Sequence, residues 1–278
     1  MFIIYDEDKN PLDLPKGITP LDIHISSIAK ERETETIEGR NGKIDFGFTY
    51  RDREIDIEIY FRAKNTKDYR LLRDEVYSLF DEVAYISETY EKGKLYRVSV
   101  DDSYIPDRLE GNQRIATGEI KLTMPELPFS ESVGTTQEIE KHGLDANDDF
   151  WQYGMGLQSI DRRLKYNHEG KRFEIYNAGD VPIHPFEQYL KITITNVRGS
   201  KDKFELHNKT TGDVFQVKEG VDISRTIVID GAEVTRDDTQ YLRKTNREYI
   251  TLAKGINEFE VKGANMAKVQ MDFKFYYL

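Results

Sequence analysis

Closely spaced acids are the first residues with the makings of chemistry: Asp56 with Glu58, Asp101 with Asp102, and Asp148 with Asp149. A glycosidase needs two carboxyl groups facing each other across a cleft, one to protonate the leaving oxygen and one to act as base or nucleophile. Asp56 and Glu58 do not suit that task. They alternate with Ile55, Ile57, Ile59 and Phe61, so they project from the solvent side of a strand whose other face is apolar. Of the five histidines, His142, His168, His184 and His207 fall in the second half, and none has the HxH or HExxH spacing that puts two imidazoles on one metal. Gly154-Met155-Gly156 lacks the Gly-Lys-Ser/Thr ending of a phosphate loop and reads as backbone that bends or packs closely. No G-x-S-x-G elbow presents a serine. Without cysteine there is no disulfide, thiolate metal site or thiol nucleophile. These readings assign no catalytic, cofactor-binding or metal-binding residue and describe a protein that is not an enzyme.

Aromatic residues offer a different chemistry. Trp151, Tyr153, Tyr166, Tyr189 and Tyr241 would form a stacking platform for sugars if they were exposed among polar neighbours, as in β-sandwich lectins. Core filling accounts for the same rings in a chain that holds 17 Tyr and 14 Phe.

The balance of charge narrows the partners. With 40 Lys and Arg against 51 Asp and Glu, the 278-residue chain carries −11 and has no basic cluster, which disfavours sequence-independent binding to nucleic acid. The start, MFIIYDEDKN, has too short an apolar run for a signal peptide, and no stretch approaches the ~20 apolar residues of a membrane span. A chain made and kept in the cytosol, or assembled there into something larger, is the expectation.

The elements that must position these residues divide in two. From Met1 to about Phe129 the pattern predicts strands at 2–5 and 21–28, a β-hairpin within Glu38–Phe61, one helix, and strands near 83–90, 94–101 and 114–124. The hairpin rests on the Arg40-Asn41-Gly42 turn, the alternating Ile44, Phe46, Phe48 and Ile55, Ile57, Ile59, Phe61, and a reversal at Tyr50-Arg51-Asp52-Arg53. The helix follows Asn65-Thr66, suited to a cap, and brings Leu72, Val76, Leu79, Phe80 and Val83 onto one face. Pro125–Asp149 is rich in Pro, Gly, Ser and acids and reads as a linker. Beyond it short alternating strands separated by Asn177-Ala178-Gly179-Asp180, Thr211-Gly212-Asp213, Asp230-Gly231 and Lys254-Gly255, with no helix among them, predict an antiparallel β-sandwich. The chain is therefore mainly β with one helix in an α+β N-terminal domain: 1–130, a linker at 131–149, and a sandwich at 150–278.

The Gly39–Phe61 segment, the capped helix, Leu95-Tyr96-Arg97-Val98 and a strand ending at Met124-Pro125 together resemble the N-terminal domain of siphophage distal tail proteins. LPFSESVGTT at 127–136, WQYGMGL at 151–157, FEIYNAGDVPIHPF at 173–186 and LAKGINEF at 252–259 are similar to members from phages of Gram-positive hosts. The resemblance spans nearly the whole chain through structural phrases, none of them catalytic. It implies a homohexameric ring at the tip of a long non-contractile tail, with a galectin-like or carbohydrate-module-like sandwich projecting outward. Implied partners are the major tail protein, the tape measure protein, the tail-associated lysin or fibre hub, and a receptor-binding protein or its adaptor. Such a ring is assembled in the host cytoplasm and acts by geometry; six copies at −11 each carry −66, enough for an acidic lumen that lets DNA slide. The alternative expectation is a β-sandwich module that binds host cell-surface glycans.

Overall fold

A computed structural model describes residues 1–144, 151–152, 154–158 and 161–278. It divides into two compact units, Met1–Ser130 with Leu278, and Glu131–Tyr277.

In chain order unit 1 contains β1 (Phe2–Tyr5), β2 (Pro11–Leu12), β3 (Ile18–Ile25), β4 (Lys30–Glu35), β5 (Ile44–Tyr50), β6 (Ile55–Arg62), α1 (Thr66–Asp81), β7 (Tyr85–Glu88), β8 (Lys94–Arg97), β9 (Asp107–Arg108) and β10 (Ile115–Leu122). β6 is the organising strand. It pairs antiparallel with β3 on one side and with β10 on the other, and its Ile55, Ile57, Ile59 and Phe61 are fully buried. Strict alternation over eight residues fixes which face turns inward, because a one-residue slip would expose all four. A second group of antiparallel strands, β2-β1-β7-β8, contributes Phe2, Ile4, Ile86 and Tyr96 to the same core. Asn65 caps α1, its side-chain oxygen accepting from the backbone N–H of Lys67 and Asp68 at 2.9 and 3.0 Å. Tyr69, Leu72, Val76 and Phe80 then line the buried face of the helix.

The expected hairpin needs correction. β5 pairs only with β4, across the Arg40-Asn41-Gly42 turn, while β6 belongs to the neighbouring sheet, so Tyr50-Arg51-Asp52-Arg53 is a passage between sheets and not a hairpin reversal. β5 also lacks a buried face: Phe46 is 59% and Phe48 42% exposed. The alternation of Ile44, Phe46 and Phe48 correctly signals extended backbone. Its partner, KERETE in β4, has no apolar residue with which to close a core.

Unit 2 contains β11 (Ser130–Ser132), α2 (Thr136–His142), β12 (Asn167–Gly170), β13 (Arg172–Asn177), β14 (Leu190–Arg198), β15 (Phe204–Asn208), β16 (Val214–Val217), β17 (Ile227–Asp230), β18 (Glu233–Arg236), β19 (Thr239–Gln240), β20 (Gly255–Lys262), β21 (Met266–Phe273) and β22 (Tyr276–Tyr277). Two antiparallel sheets, β12-β21-β14-β17-β18-β19 and β13-β20-β15-β16, bury alternate residues such as Ile192, Ile194, Phe204, Leu206, Val261 and Val269. Tyr166, whose backbone oxygen accepts from Met271 of the first sheet, donates its hydroxyl to the Tyr176 oxygen of the second at 3.0 Å. The protein is thus mainly antiparallel β throughout, a sandwich in unit 2.

Residues 131–143, read from composition as linker, carry β11 and a second helix. α2 does for β21 what a strand would do. Thr136, fully buried, donates its hydroxyl to the Met271 oxygen and accepts from the Phe273 N–H, both at 3.1 Å, and Gln137 Nε2 donates to the same Met271 oxygen at 2.7 Å. Polar side chains that stand in for a ladder look like loop residues in the sequence. The rest of the expected linker, 145–149, lies outside the described residues.

One polar cluster sets the acid limit of unit 2. Glu219 accepts from the Tyr241 hydroxyl at 2.7 Å and the Arg236 guanidinium at 2.8 Å, and lies 3.0 Å from Lys244 Nζ. The Tyr241 hydrogen bond, then Lys244 and Arg236, hold its carboxyl down at about 2. Because the folded value lies below the unfolded one, the cluster stabilises fully above pH ~4.5 and loses its effect as pH falls toward 2. With a third of the side chain exposed, the contribution is about 1 kcal/mol. Glu219→Gln is expected to lower the melting temperature at pH 7 and to flatten its fall between pH 5 and 2, measured by thermal denaturation across that range.

Candidate assembly surfaces

None of the acid pairs forms a catalytic constellation. Asp56 and Glu58 stand side by side on the outward face of β6, with His24 opposite Asp56 and 3.7 Å from Glu58. Asp101 accepts from Ser99 and Thr123 hydroxyls, and Asp102 is exposed. Asp148 and Asp149 lie outside the described residues. Among the described residues, no group of three or more His, Asp or Glu is placed to hold a metal. His168 donates or accepts at the Lys165 oxygen, His207 pairs with Glu205 at 2.9 Å, His184 accepts from the Phe186 N–H, and His142 ends α2. Gly154 and Gly156 both have positive φ, and a Cβ on Gly156 would meet the Ala178 oxygen at 2.6 Å.

The proposed sugar platform is not assembled. Trp151, Tyr166 and Tyr241 are buried and Tyr189 is half-buried, its hydroxyl donating to Asp272 at 2.9 Å. Trp151 packs edge-on against Phe275, and Tyr166 against Phe273, as core residues do. Tyr153 lies outside the described residues.

What unit 1 offers instead is a surface for another chain. β4 and β5 form a two-stranded arm, every residue of β4 and of the 36–43 tip being exposed. Gly39 and Gly42 supply the positive φ of the tip at +81° and +83°. Ion pairs between Arg32 and Asp45 and between Arg51 and Glu31 hold the two strands in register. On β5, Phe48 is fringed by Lys30 Nζ at 4.7 Å and Arg32 at 5.6 Å, and meets Tyr50 edge-on at 5.3 Å. Tyr50 in turn packs on Phe129, which anchors the base of the arm to unit 1. An exposed ribbon with two unpaired edges and two unburied phenyl rings is marginal in water by itself. Sequence reasoning placed these rings in a core because periodicity reports spacing, not burial.

Register exposes a second feature. Asp22, Glu58 and Glu119 lie directly opposite one another across β3, β6 and β10. Like charges at directly opposed positions destabilise a sheet. This outward row is therefore an acidic stripe kept at a cost to the isolated unit.

Residues 13–124 match the family of phage tail protein RIFT-related domains. The fold of the whole chain is similar to the crystal structure of SPP1 Dit (gp 19.1), described as a paradigm of the hub adsorption apparatus in Gram-positive infecting phages. The TM-score is 0.66 at 11% identity, covering 99% of each chain. Two structures of the phage p2 baseplate in its activated conformation, with Sr and with Ca, align over 98% and 99% of this chain and 97% of each of theirs. Both are 11% identical, with TM-scores of 0.42 and 0.43, too low to carry an argument. No curated protein matches the chain.

Proposed function

We propose, from the premise that residues 13–124 are a phage tail RIFT-related domain and that both units share the fold of a distal tail protein, that this chain forms the ring hub at the tip of a long non-contractile tail. It is a structural component of the tail and baseplate and resides in the virion. The single observation that carries this reading is the sequence match over unit 1, because the fold alone does not settle function.

The arm supports self-assembly. A cyclic ring uses a head-to-tail contact in which one surface of each subunit meets a different surface of the next. An exposed ribbon with free edges and apolar rings is suited to reach a neighbour and continue its sheet there. Six copies is the proposed number. The acidic row Asp22, Glu58 and Glu119 faces the channel, where negative charge repels passing DNA. The major tail protein, tape measure protein, tail-associated lysin or fibre hub, and receptor-binding protein or adaptor are the proposed neighbours in the virion. The protein performs no chemistry in this role.

The test is the mass of the purified protein by light scattering at several concentrations, with imaging of the largest species and gold labelling of virions. Six 32.5 kDa chains around a hole lined by the acidic row are expected, with label at the tail tip. A monomer at every concentration together with unlabelled tail tips would end the proposal.

A further inference from the structure

The outward face of β13 and β20, within unit 2, floors an open groove of about 630 Å³ that the ring reading does not use. Five cations reach it, Arg162, Arg163, Lys165, Arg172 and Lys209, in a chain whose overall charge is −11. Their counter-charges lie beneath them. Asp161, only 5% exposed at its side chain, holds Arg163 through paired hydrogen bonds of 2.6 to 3.1 Å. Glu260, 11% exposed, lies 2.8 Å from Arg172 and 3.5 Å from Lys209, whose own side chains are 74% and 46% exposed. Sunken carboxylates under exposed cations leave the positive ends facing the groove and already oriented. Arg162 and Lys165 have no acid within ion-pair distance among the described residues.

Between these cations stand two acids that no cation neutralises. Glu174 and Glu258 are direct cross-strand partners, both exposed. Like charges so placed oppose sheet pairing. They are, however, good acceptors for hydroxyl groups. Exposed Ile256 adds an apolar patch beside them.

We propose that this groove binds an anionic saccharide chain, with its phosphate groups on Arg162, Lys165, Arg172 and Lys209 and its hydroxyls on Glu174 and Glu258. Two other polyanions fit less well. Nucleic acid needs open ring faces for its bases. Here Phe173 is sandwiched between His168 at 4.9 Å and Phe259 at 5.3 Å, and the Arg163 guanidinium covers Tyr176 at 3.9 Å. An acidic protein surface has carboxylates where the Glu174 and Glu258 pair wants donors.

The experiment is affinity electrophoresis and calorimetry of the full-length protein with phosphomannan as probe, and neutral mannan and an oligothymidylate as comparators. Phosphomannan is expected to bind and to weaken with salt, while the comparators bind at least tenfold more weakly. R162E/K165E changes exposed side chains without ion-pair partners, so it is expected to fold normally and to lose binding at least tenfold. E174Q/E258Q is expected to weaken phosphomannan without strengthening mannan. K201E/K218E, on exposed lysines away from the groove, is expected to bind as the parent does. No binding of phosphomannan, equal binding of the oligothymidylate, or binding indifferent to R162E/K165E in a variant with parental melting would each overturn the proposal.

Discussion

Replacing Phe46 and Phe48 together by serine is expected to convert the assembled protein into a folded monomer. Both rings lie on β5 and are largely exposed, so neither contributes to the unit 1 core, which is built from β6, α1 and their neighbours. Burying a phenylalanine side chain stabilises by about 1.5–3 kcal/mol. Losing two at every subunit contact therefore weakens each by roughly 3–6 kcal/mol, a factor of about 10² to 10⁴ in its dissociation constant. The melting temperature should move little, because only the Phe48 contacts with Lys30, Arg32 and Tyr50 are lost within the subunit. Light scattering separates the outcomes when read beside a thermal melt. A particle that keeps the parental mass would show that the arm is not the contact, and a monomer with a collapsed melt would show only misfolding.

The arm also shows where sequence reasoning stops. The β6 alternation and the Asn65 cap of α1 were legible because their signals are local: a period of two, and an amide side chain three residues before the N–H it satisfies. Whether β5 has a core behind it depends on β4, whose KERETE carries no apolar period, so its pairing could not be inferred. The helix α2 was hidden for the opposite reason. Its Thr136 and Gln137 bond to Met271 more than 130 residues away, and only that contact makes a polar stretch part of a sheet edge. The groove and the acidic row share this property. Glu174 opposite Glu258, and Asp22 opposite Glu58 and Glu119, are distant in sequence and meet only through register. The rings Trp151, Tyr166 and Tyr241 were visible by type, but type does not say which way a side chain points.

Asn257→Ala is expected to be among the most damaging single changes in unit 2. The LAKGINEF segment turns back on itself through Gly255, at φ +85°, and Asn257 ties that turn while being fully buried. Its Oδ1 accepts from the Ala253 N–H at 2.8 Å and from Asn208 Nδ2 at 3.1 Å, and its Nδ2 donates to the Ala253 oxygen at 2.9 Å and the Gly255 oxygen at 3.3 Å. Asn208, itself buried, extends the network to the Thr251 oxygen and the Thr210 N–H. No water replaces Asn257 cheaply at such depth. Truncation strands both polar groups of Ala253 and one donor of Asn208, each costing about 1–3 kcal/mol, so a total near 3–5 kcal/mol follows once partial relaxation is allowed. Trp151 is the one tryptophan of the chain and is buried in unit 2, so its fluorescence reports the unfolding of that unit. Urea titration should show the tryptophan midpoint falling sharply in Asn257→Ala, and in Asn257→Leu by a similar amount, because the loss lies in the hydrogen bonds rather than in volume. A midpoint shift worth less than about 1 kcal/mol in both variants would mean that the turn is held by Gly255 and the strand ladders alone.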